Sequence, residues 1–575
     1  MTLAAAAASP RAQDTRQALM RRLKRAGLAS GHQIVARSLA ANGITHVYGV
    51  PGRPIDATLA ACARAGIRVI GARHQQGAAL MSVSHNYVAG GLRSAVIVSA
   101  GPAVTNAATG LLVAHDNRWP LLVMGGRKSP AAGHEGAFQA FDGCAFFAPI
   151  TKHASVANRA DDLAGAIDQG CRLAVAGAPG PVYLDLGEEA LAARTWASPP
   201  QDRRSGEKSP RTAPEVPPRD ALREAAAALS GARRPVLLIG KGIRWSGDWA
   251  PLRRIVDEAC MPFAAAPMAR GFIPDDHPLC VTAVRGQALA EADLVLMVGA
   301  RFNWTFHHGI EIPPDARVLR IDIDPEESRQ VLGRGTALPG DAAATLALLV
   351  QALESMPARA RRDDGWLARL QALRDEARAR DESAASPETL PMSPSQWLRE
   401  VRDGLPASAI TVLDGNVVMA AAQAIVPALA PLSRITAATN GCMGVGIPFA
   451  IGAKLAAPER PVVAICGDFG FGLNAFELET AVRHSVPITV IVANNGGPGG
   501  STRQRDFFGP DCLEPIARFS RGIRHDLAAS ALGARGAHVT RPGELRCALR
   551  EALDDGPPTC IDVLTHEDTP LSPVI

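Results

Sequence analysis

The sequence predicts an α/β protein built from three doubly wound, parallel-sheet domains in series. Two observations support this prediction. Short apolar runs alternate with longer amphipathic stretches along three segments of the chain, which is the pattern of buried parallel strands connected by helices. In addition, 575 residues are more than a single hydrophobic core can serve. The predicted units are an N-terminal extension at 1–28, domains at 29–195, 219–355 and 393–575, and linkers at 196–218 and 356–392.

The strands are predicted from the apolar runs, and the helices from the amphipathic stretches that accompany them, such as Gly31–Asn42 and Asp162–Ala174. A stretch rich in Pro, Arg, Lys and Ser, Ser198–Pro218, predicts the first linker. The second linker is dense in charge and has a helical pattern at Trp366–Ala379. The predicted strands are His46–Val50, Val69–Gly71, Ala95–Ser99, Leu121–Gly125 and Val182–Leu186, then Pro235–Gly240, Leu294–Val298 and Val318–Ile323, and finally Ile410–Asp414, Val462–Cys466, Ile488–Ala493 and Cys560–Leu564.

The composition excludes several classes of protein. Hydrophobic residues make up 47% and charged residues 20%, which is ordinary for a globular protein. A net charge of +4, without basic runs interleaved with aromatics, argues against nucleic acid as a partner. No apolar run approaches the ~20 residues that cross a bilayer. Ten scattered cysteines without a Cys-x-x-Cys pair predict a reducing, cytoplasmic location. The Ala- and Arg-rich N-terminus leaves an organellar presequence as the alternative.

The third domain contains the sharpest local pattern. A predicted strand ends in Gly467-Asp468, a turn at Phe469–Gly472 leads into a predicted helix at Asn474–His484, and the next strand ends at Asn495. Because the carboxyl ends of parallel strands meet at one edge of a sheet, Asp468 and Asn495 are expected to face one crevice. The amino end of a helix beside them would supply N–H donors to a phosphate.

These residue types suit Mg²⁺, which prefers six oxygen ligands and takes few of them from the protein. The Asp468 carboxylate, the Asn495 amide oxygen and a backbone carbonyl at Gly497 would leave places for a diphosphate and water. Glycines at 496, 497, 499 and 500 would let the backbone come close. The alternative is that these Gly-Asp and Asn-Asn pairs are turn residues at strand ends.

The order of these features resembles the thiamine diphosphate signature, a Gly-Asp start followed some two dozen residues later by Asn-Asn. Here, 24 residues separate Phe469 from Asn494. The resemblance extends from about residue 31 to 564, and it is to the acetolactate synthase superfamily, especially the 2-hydroxyacyl-CoA lyases and oxalyl-CoA decarboxylases. The segments that carry it include His46–Gly52, Arg73–Gln76, Ser99–Pro102 and Gly299–Trp304.

The resemblance implies a cofactor, an assembly and a class of reaction. The first domain would bind the pyrimidine of thiamine diphosphate, and the third would bind its diphosphate through Mg²⁺. The reaction would make or cleave a carbon–carbon bond next to a carbonyl, on a 2-oxo acid or on a 2-hydroxyacyl or oxalyl thioester. The central domain would hold FAD, ADP or CoA, and the resemblance does not decide between them. Relatives form the site between two subunits, so a homodimer or homotetramer is expected.

The resemblance also assigns roles to individual residues. The Gly441 carbonyl would accept from the aminopyrimidine, and Met443 would wedge between the two rings of the cofactor; a gap-filling core role for Met443 is the alternative. The segment Asp414-Gly415-Asn416 would form the loop that faces the diphosphate. The remaining contacts to the diphosphate would come from Gly467, Asp468, Phe469 and Gly470. Phe469 departs from the family pattern, which usually has a small residue there.

The most informative departure is Gln75, which stands where the family has a glutamate that protonates the pyrimidine ring. A carboxyl group can hand over a proton and an amide cannot. Glyoxylate carboligase also lacks this Glu and is active, so an active enzyme remains the first hypothesis, with Gln75 and Gln139 as the catalytic candidates. The alternative is a homologue that binds the cofactor but is catalytically weak or regulatory. This chain departs from the acyl-CoA lyase pattern in two further ways: it has Ala103, and it lacks the Tyr that lyases carry after Asn-Asn-x-Gly.

Overall fold

The computed structural model describes residues 28–128, 138–196, 215–356, 362–383, 389–498, 516–520, 522–554 and 556–566. It contains parallel sheets of six, five and six strands and one short antiparallel pair. The predicted α/β class with three parallel-sheet domains is therefore confirmed. In the described part of the chain, no helix is both long and apolar enough to cross a membrane.

The first domain is a six-stranded parallel sheet in the order β3-β2-β4-β5-β7-β6. Strands β1 and β8 pair with each other and bring the two ends of the domain together. The elements, in chain order, are β1 Ala29–Ser30, α1 Gly31–Ala41, β2 His46–Gly49, α2 Asp56–Arg64, β3 Arg68–Gly71, α3 Gln75–Ala89, β4 Ser94–Val98, α4 Pro102–Asn106, α5 Ala108–Asn117, β5 Leu121–Arg127, α6 Gly143–Phe147, β6 His153–Ala157, α7 Leu163–Val175, β7 Pro181–Gly187, α8 Glu188–Ala192 and β8 Arg194–Thr195.

The central domain has five parallel strands in the order β10-β9-β11-β12-β13. The predicted second linker contains a long helix, α14, and its Trp366 and Leu370 are buried in the core of this domain. The elements are α9 Arg219–Gly231, β9 Pro235–Ile239, α10 Ala250–Glu258, β10 Phe263–Ala265, α11 Arg285–Ala290, β11 Leu294–Val298, β12 Arg317–Asp322, α12 Pro325–Ser328, β13 Gly335–Pro339, α13 Ala342–Glu354 and α14 Asp364–Ser383.

The third domain repeats the topology of the first, with the strand order β15-β14-β16-β17-β19-β18. In all three parallel sheets, the first three strands along the chain therefore lie in the same order, second-first-third. Its elements are α15 Pro394–Gly404, β14 Ile410–Asp414, α16 Val417–Ile425, β15 Arg434–Thr436, α17 Gly446–Ala456, β16 Val462–Gly467, α18 Asp468–Asn474, α19 Glu477–Arg483, β17 Thr489–Asn494, α20 His525–Ala531, β18 Arg535–Val539, α21 Glu544–Leu553 and β19 Thr559–Leu564.

In each domain the chain direction across the sheet reverses after the second strand of the sheet, and ligands of doubly wound sheets bind in the crevice at that point. The crevice lies between β2 and β4 in the first domain, between β9 and β11 in the central domain, and between β14 and β16 in the third domain. Asp414 ends β14 and Asp468 follows β16, so both acids lie at the crevice of the third domain.

The predicted turn at Phe469–Gly472 is wrong, because the structure begins helix α18 at Asp468. An acidic residue in the first turn of a helix is stabilised by the positive end of the helix dipole, which favours this earlier start. The predicted helix at Asn474–His484 corresponds to α19, which begins three residues later, at Glu477.

Helices α3 and α17 pack the first and third domains of one chain against each other. The Ser84 hydroxyl donates to the carbonyl of Phe449 at 2.7 Å. Gly452 lies so near α3 that a Cβ there would sit 2.1 Å from the carbonyl oxygen of Met81. The close approach of the two backbones makes this a fixed contact between the domains.

Candidate functional site

Asp468 is the centre of the predicted metal site, and its carboxylate is almost fully enclosed by backbone N–H groups. The residue is 2% exposed. Its Oδ1 accepts from the N–H of Phe469 at 2.7 Å, and its Oδ2 accepts from the N–H groups of Gly496 and Gly497, each at 2.8 Å. Burial raises the pKa of Asp468, and these N–H donors partly oppose that rise. A cation beside the carboxylate would favour the ionised form further.

Asn495 and Gly497 complete a set of oxygens around this carboxylate. One terminal atom of the Asn495 amide lies 3.2 Å from both oxygens of Asp468 and 3.2 Å from the carbonyl oxygen of Gly497. A half turn of the amide presents either its nitrogen, whose two N–H groups donate within this set, or its oxygen. With the oxygen in this place, four oxygens converge with no proton between them, and a bound cation would offset their repulsion. A carboxylate, an amide oxygen and a carbonyl are ligands that Mg²⁺ takes, so the donor set fits that ion.

The loop that carries Gly441 and Met443 is held by Asp414, which the resemblance places in the diphosphate-facing segment but to which it gives no role toward this loop. The Asp414 carboxylate accepts from the N–H of Gly444 at 3.1 Å and from the N–H of Gly446 at 2.9 Å. Asp414 is 1% exposed, and burial raises its pKa to about 6, with both N–H donors opposing the rise. Its position at the end of β14, beside the crevice, was the available signal.

Close packing explains why the residues around Asp414 are small. A Cβ on Gly470 would lie 3.1 Å from the Asp414 carboxylate. A Cβ on Gly446 would lie 2.3 Å from the sulfur of Cys466. Gly415 has a φ of +104°, in the region that favours glycine, and it lies next to the backbone nitrogen of Gly467. Asn416 then precedes helix α16 and is exposed.

Phe469, the departure from the family pattern, stacks on the ring of Phe519, with ring centroids 6.4 Å apart and planes inclined by 20°. The N–H of Phe519 donates to the carbonyl of Gly496 at 2.8 Å, so the aromatic pair rests on the loop that carries the oxygen set. The predicted role of glycines 499 and 500 lies outside the described residues. Gly496 and Gly497 have φ values of +86° and +122°.

Gln75 and Gln139, the two catalytic candidates, lie at the carboxyl edge of the first sheet on either side of helix α4. The side chain of Asn106, at the end of α4, donates to the Gln75 amide oxygen at 3.0 Å. Gly101, at the start of α4, lies against Gln139, and a Cβ on Gly101 would sit 3.0 Å from the Gln139 Cβ. Gln139 itself has a φ of +57°. The two amides therefore flank the crevice of the first domain.

Within one chain, the segment before Gln75 contacts the third domain at a different place from Asp468 and Asn495. The backbone N–H of Gly71, just before the Gln75 segment, donates to His484 at 3.1 Å. His484 precedes β17 at its amino end, whereas Asn495 follows β17 at its carboxyl end. The six residues of β17 span about 20 Å. Gly71, four residues before Gln75, thus lies near the edge of the third sheet opposite to Asp468.

The crevice of the central domain forms a cleft that reaches the third domain. It is lined on one side by Gly240, Lys241 and Arg301 and on the other by Thr439, two residues before Gly441. Lys241 donates to the hydroxyl of Thr439 at 2.6 Å and to the side chain of Asn117 at 2.6 Å. Burial, followed by the charge of Arg301, holds the pKa of Lys241 well below its usual value. Sequence reasoning missed Lys241, because nothing near it in the sequence signals burial.

The cleft begins where two strand ends nearly touch. A Cβ on Gly240 would lie 2.1 Å from the carbonyl oxygen of Gly299, and Gly299 has a φ of +56°. Only glycine allows the two backbones to come this close. Because glycine has no side chain, the main chain here is also accessible to a ligand.

The sequence matches three domain families along its length. Residues 29–146 match the thiamine pyrophosphate enzyme N-terminal binding domain, residues 222–349 match the central domain, and residues 414–563 match the C-terminal binding domain. The 2-hydroxyacyl-CoA lyase of Oryza sativa is 32% identical over 93% of this chain and 95% of its own length. The oxalyl-CoA decarboxylase of Escherichia coli is 31% identical, and an acetolactate synthase large subunit of Mycobacterium tuberculosis is 30% identical, each over 93% of this chain and 95% of the relative.

Each match falls on one of the three parallel sheets, and the first and third matches include the crevices at which the predicted site residues lie. The predicted resemblance is therefore confirmed, and the chain belongs to the thiamine pyrophosphate enzymes, the family of its lyase, synthase and decarboxylase relatives.

Proposed function

We propose that this enzyme makes or cleaves a carbon–carbon bond next to a carbonyl, using thiamine diphosphate and Mg²⁺. The observation that carries the proposal is the oxygen set of Asp468, Asn495 and Gly497, which fits a divalent cation at the carboxyl edge of a parallel sheet. Thiamine diphosphate supplies an electron sink next to the carbonyl carbon of the substrate when it is bound.

The chain's own residues bind and orient the cofactor in this proposal. Asp468, Asn495 and the Gly497 carbonyl would hold Mg²⁺, and the Gly415–Asn416 loop would face the diphosphate. Asp414 fixes the loop through Gly444 and Gly446, so the Gly441 carbonyl and Met443 would be presented to the pyrimidine ring. Gln75 would hydrogen-bond the same ring, and its amide would orient the ring without transferring a proton. Gln139 would contact the substrate.

The substrate is proposed to be a 2-oxo acid or a 2-hydroxyacyl or oxalyl thioester. Relatives named for acyl-CoA lyase, oxalyl-CoA decarboxylase and acetolactate synthase activity support this range. The cleft at Gly240 and Gly299 supports a nucleotide in the central domain, as ADP, CoA or FAD, since it has an open glycine backbone and the basic side chain of Arg301. Mass spectrometry of ligands that co-purify with the protein tests this assignment.

A second candidate function is a homologue that binds the cofactor but turns over slowly or serves a regulatory role. Gln75 favours it, because loss of one general acid–base group typically costs ~10²–10⁴-fold in rate. In this structure the Gln75 amide is already engaged by Asn106. Rate measurements on the wild-type protein and on Gln75→Glu separate the two candidates.

The experiment follows hydrogen–deuterium exchange at the thiazolium carbon of bound thiamine diphosphate, together with turnover of pyruvate, glyoxylate, oxalyl-CoA and 2-hydroxyacyl-CoA. The active-enzyme proposal expects turnover of at least one substrate by the wild-type protein, with faster exchange in Gln75→Glu. Binding without turnover in either form supports the second candidate. No binding of thiamine diphosphate by either form overturns both.

We also propose that the working form is a homodimer or a homotetramer, in which Gln75 of one copy meets the Asp468 side of another. The contact of Gly71, four residues before Gln75, with His484 at the edge of the third sheet opposite to Asp468 supports this assembly. Sedimentation over a range of protein concentrations, with activity measured in parallel, tests it. Specific activity should fall as the protein dissociates on dilution, and an active monomer would overturn the proposal.

We propose a cytoplasmic location for the enzyme. The nine cysteines within the described residues are all free thiols, as expected for a reducing compartment. Fractionation of the source cells tests this proposal, and recovery of the protein from an organelle would contradict it.

A further inference from the structure

The segment that presents Gln75 is held by a carboxylate from another domain of the same chain. Glu477, the first residue of α19, is 1% exposed. Its carboxylate accepts from the backbone N–H of Arg73 at 3.2 Å and from the N–H of His74 at 3.1 Å. It also accepts from the hydroxyl of Thr480 at 2.7 Å, which orients it. The partner residues Arg73 and His74 directly precede Gln75.

This contact completes the N-terminal cap of helix α3, for which the first domain supplies only one of the two hydrogen bonds of a capping box. His74 is the N-cap of α3, and its side chain accepts from the N–H of Gln76 at 3.1 Å. In a capping box, an acidic or amide side chain at the third helical position would accept from the N–H of the cap residue. Here that position is Gly77, which has no side chain. The Glu477 carboxylate occupies the vacant space, because a Cβ on Gly77 would lie 2.1 Å from its Oε1.

A second contact holds the segment at its other end. The N–H of Gly71 donates to the ring Nε2 of His484 at 3.1 Å, and the Arg483 guanidinium donates to the Gly71 carbonyl at 2.7 Å. Residues at both ends of α19 therefore bind the backbone of the loop that connects β3 to α3. The third domain thus fixes where α3 begins, and Gln75 is the first residue of that helix.

We propose that Glu477 is a positioning residue for Gln75: it caps α3 from the third domain and so sets where the residue-75 side chain meets the pyrimidine of the cofactor. The inference rests on the proposed function for its catalytic consequence. The cap itself is a property of the protein without cofactor. Glu477 makes no contact with the oxygen set at Asp468, so loss of the cap should leave affinity for Mg²⁺ and diphosphate in place.

The test compares Glu477→Gln with Glu258→Gln. Glu258 lies at the end of helix α10 in the central domain, where it pairs with the side chain of Arg254. Gly77→Ala is a third variant, which displaces the Glu477 carboxylate without altering any charge. In the cofactor-free protein, peptides covering residues 68–80 should exchange amide hydrogens roughly tenfold faster in Glu477→Gln and Gly77→Ala, because the cap loses the charge of its acceptor in the first variant and the position of its acceptor in the second. Glu258→Gln should match the wild-type protein.

The catalytic consequence is tested by combining variants. Gln75→Glu is expected to accelerate exchange at the thiazolium carbon, and the acceleration should shrink at least ~10-fold when Glu477→Gln is added. The Kd for thiamine diphosphate should change less than ~3-fold, since the diphosphate contacts remain. Unchanged amide exchange in both Glu477→Gln and Gly77→Ala, or an undiminished effect of Gln75→Glu, would overturn the inference. If the wild-type protein binds no thiamine diphosphate, the proposed function fails, and the amide exchange still decides whether the cap exists.

Discussion

Replacement of Asp414 by Asn is predicted to leave the fold as stable as before while it weakens the cofactor site. The carboxylate is buried, and its pKa is about 6 instead of the usual 3.8, so keeping it ionised at pH 7 costs about 3 kcal/mol. Asn removes this charge. It also retains only one acceptor oxygen, so the N–H of Gly444 or of Gly446 loses its partner, at about 1.5–3 kcal/mol. The two effects nearly cancel in the free energy of unfolding.

No such compensation applies to cofactor binding. The loop of Gly441 and Met443 must return to the geometry that Asp414 imposes before it can bind the pyrimidine ring. The same 1.5–3 kcal/mol then corresponds to thiamine diphosphate binding that is roughly 10- to 150-fold weaker in Asp414→Asn. Urea unfolding and calorimetry at pH 7 measure the two quantities. The exposed Asp403, which pairs with Arg402, provides the control variant Asp403→Asn, for which neither quantity should change.

The pH dependence gives an independent check on Asp414. A carboxyl whose pKa is raised by folding contributes stability that is fully present below 3.8 and is lost as the pH rises through about 6. Between pH 7 and pH 4, the wild-type protein should therefore gain up to about 3 kcal/mol relative to Asp414→Asn. The reasoning is refuted if the variant loses more than about 3 kcal/mol at pH 7 with unchanged binding, or if the stability difference does not vary with pH.

Two further predictions concern packing and buried histidine. Gly446→Ala places a Cβ 2.3 Å from the sulfur of Cys466 and should destabilise the protein by about 1–3 kcal/mol in urea unfolding. Gly472 lies in open space on α18, so Gly472→Ala should stabilise the protein by about 0.5–1 kcal/mol. The opposite order of stability would contradict the described packing. His85 is buried against Tyr48 with its pKa lowered to about 3, so its contribution to stability is present above about 6.5 and is lost on acidification. Relative to His85→Gln, the wild-type protein should lose about 1.4 kcal/mol for each pH unit between 6 and 4, and a constant difference would refute this assignment.

The sequence predicted the long central strands because each is a continuous apolar run buried on both faces. Strands such as Phe263–Ala265 and Arg434–Thr436 were missed, since three residues are too few for a period to appear. His153–Ala157 was missed for another reason: it is a half-buried edge strand with little apolar character. The proximity of Asp468 to Asn495 could be predicted because parallel strands in alternation with helices end at a common edge.

The remaining site residues act through contacts that are distant in sequence. Asp414 binds N–H groups 30 and 32 residues later, and Glu477 binds N–H groups about 400 residues earlier. A single sequence gives no local signal for either pairing. The resemblance placed Gln75 and Met443 in one cofactor site, but only the structure shows that Gly71, just before Gln75, contacts the opposite edge of the third sheet within a chain.

Calorimetric titration of the protein with thiamine diphosphate, in Mg²⁺ and then in EDTA, tests the central claim most directly. We predict one bound cofactor per chain in Mg²⁺, loss of binding in EDTA, and affinity lower by on the order of 100-fold in Asp468→Asn, because its carboxylate accepts three backbone hydrogen bonds and contributes to the oxygen set. Absence of binding in Mg²⁺, or equal binding by wild-type protein and Asp468→Asn, would contradict the assignment of the site.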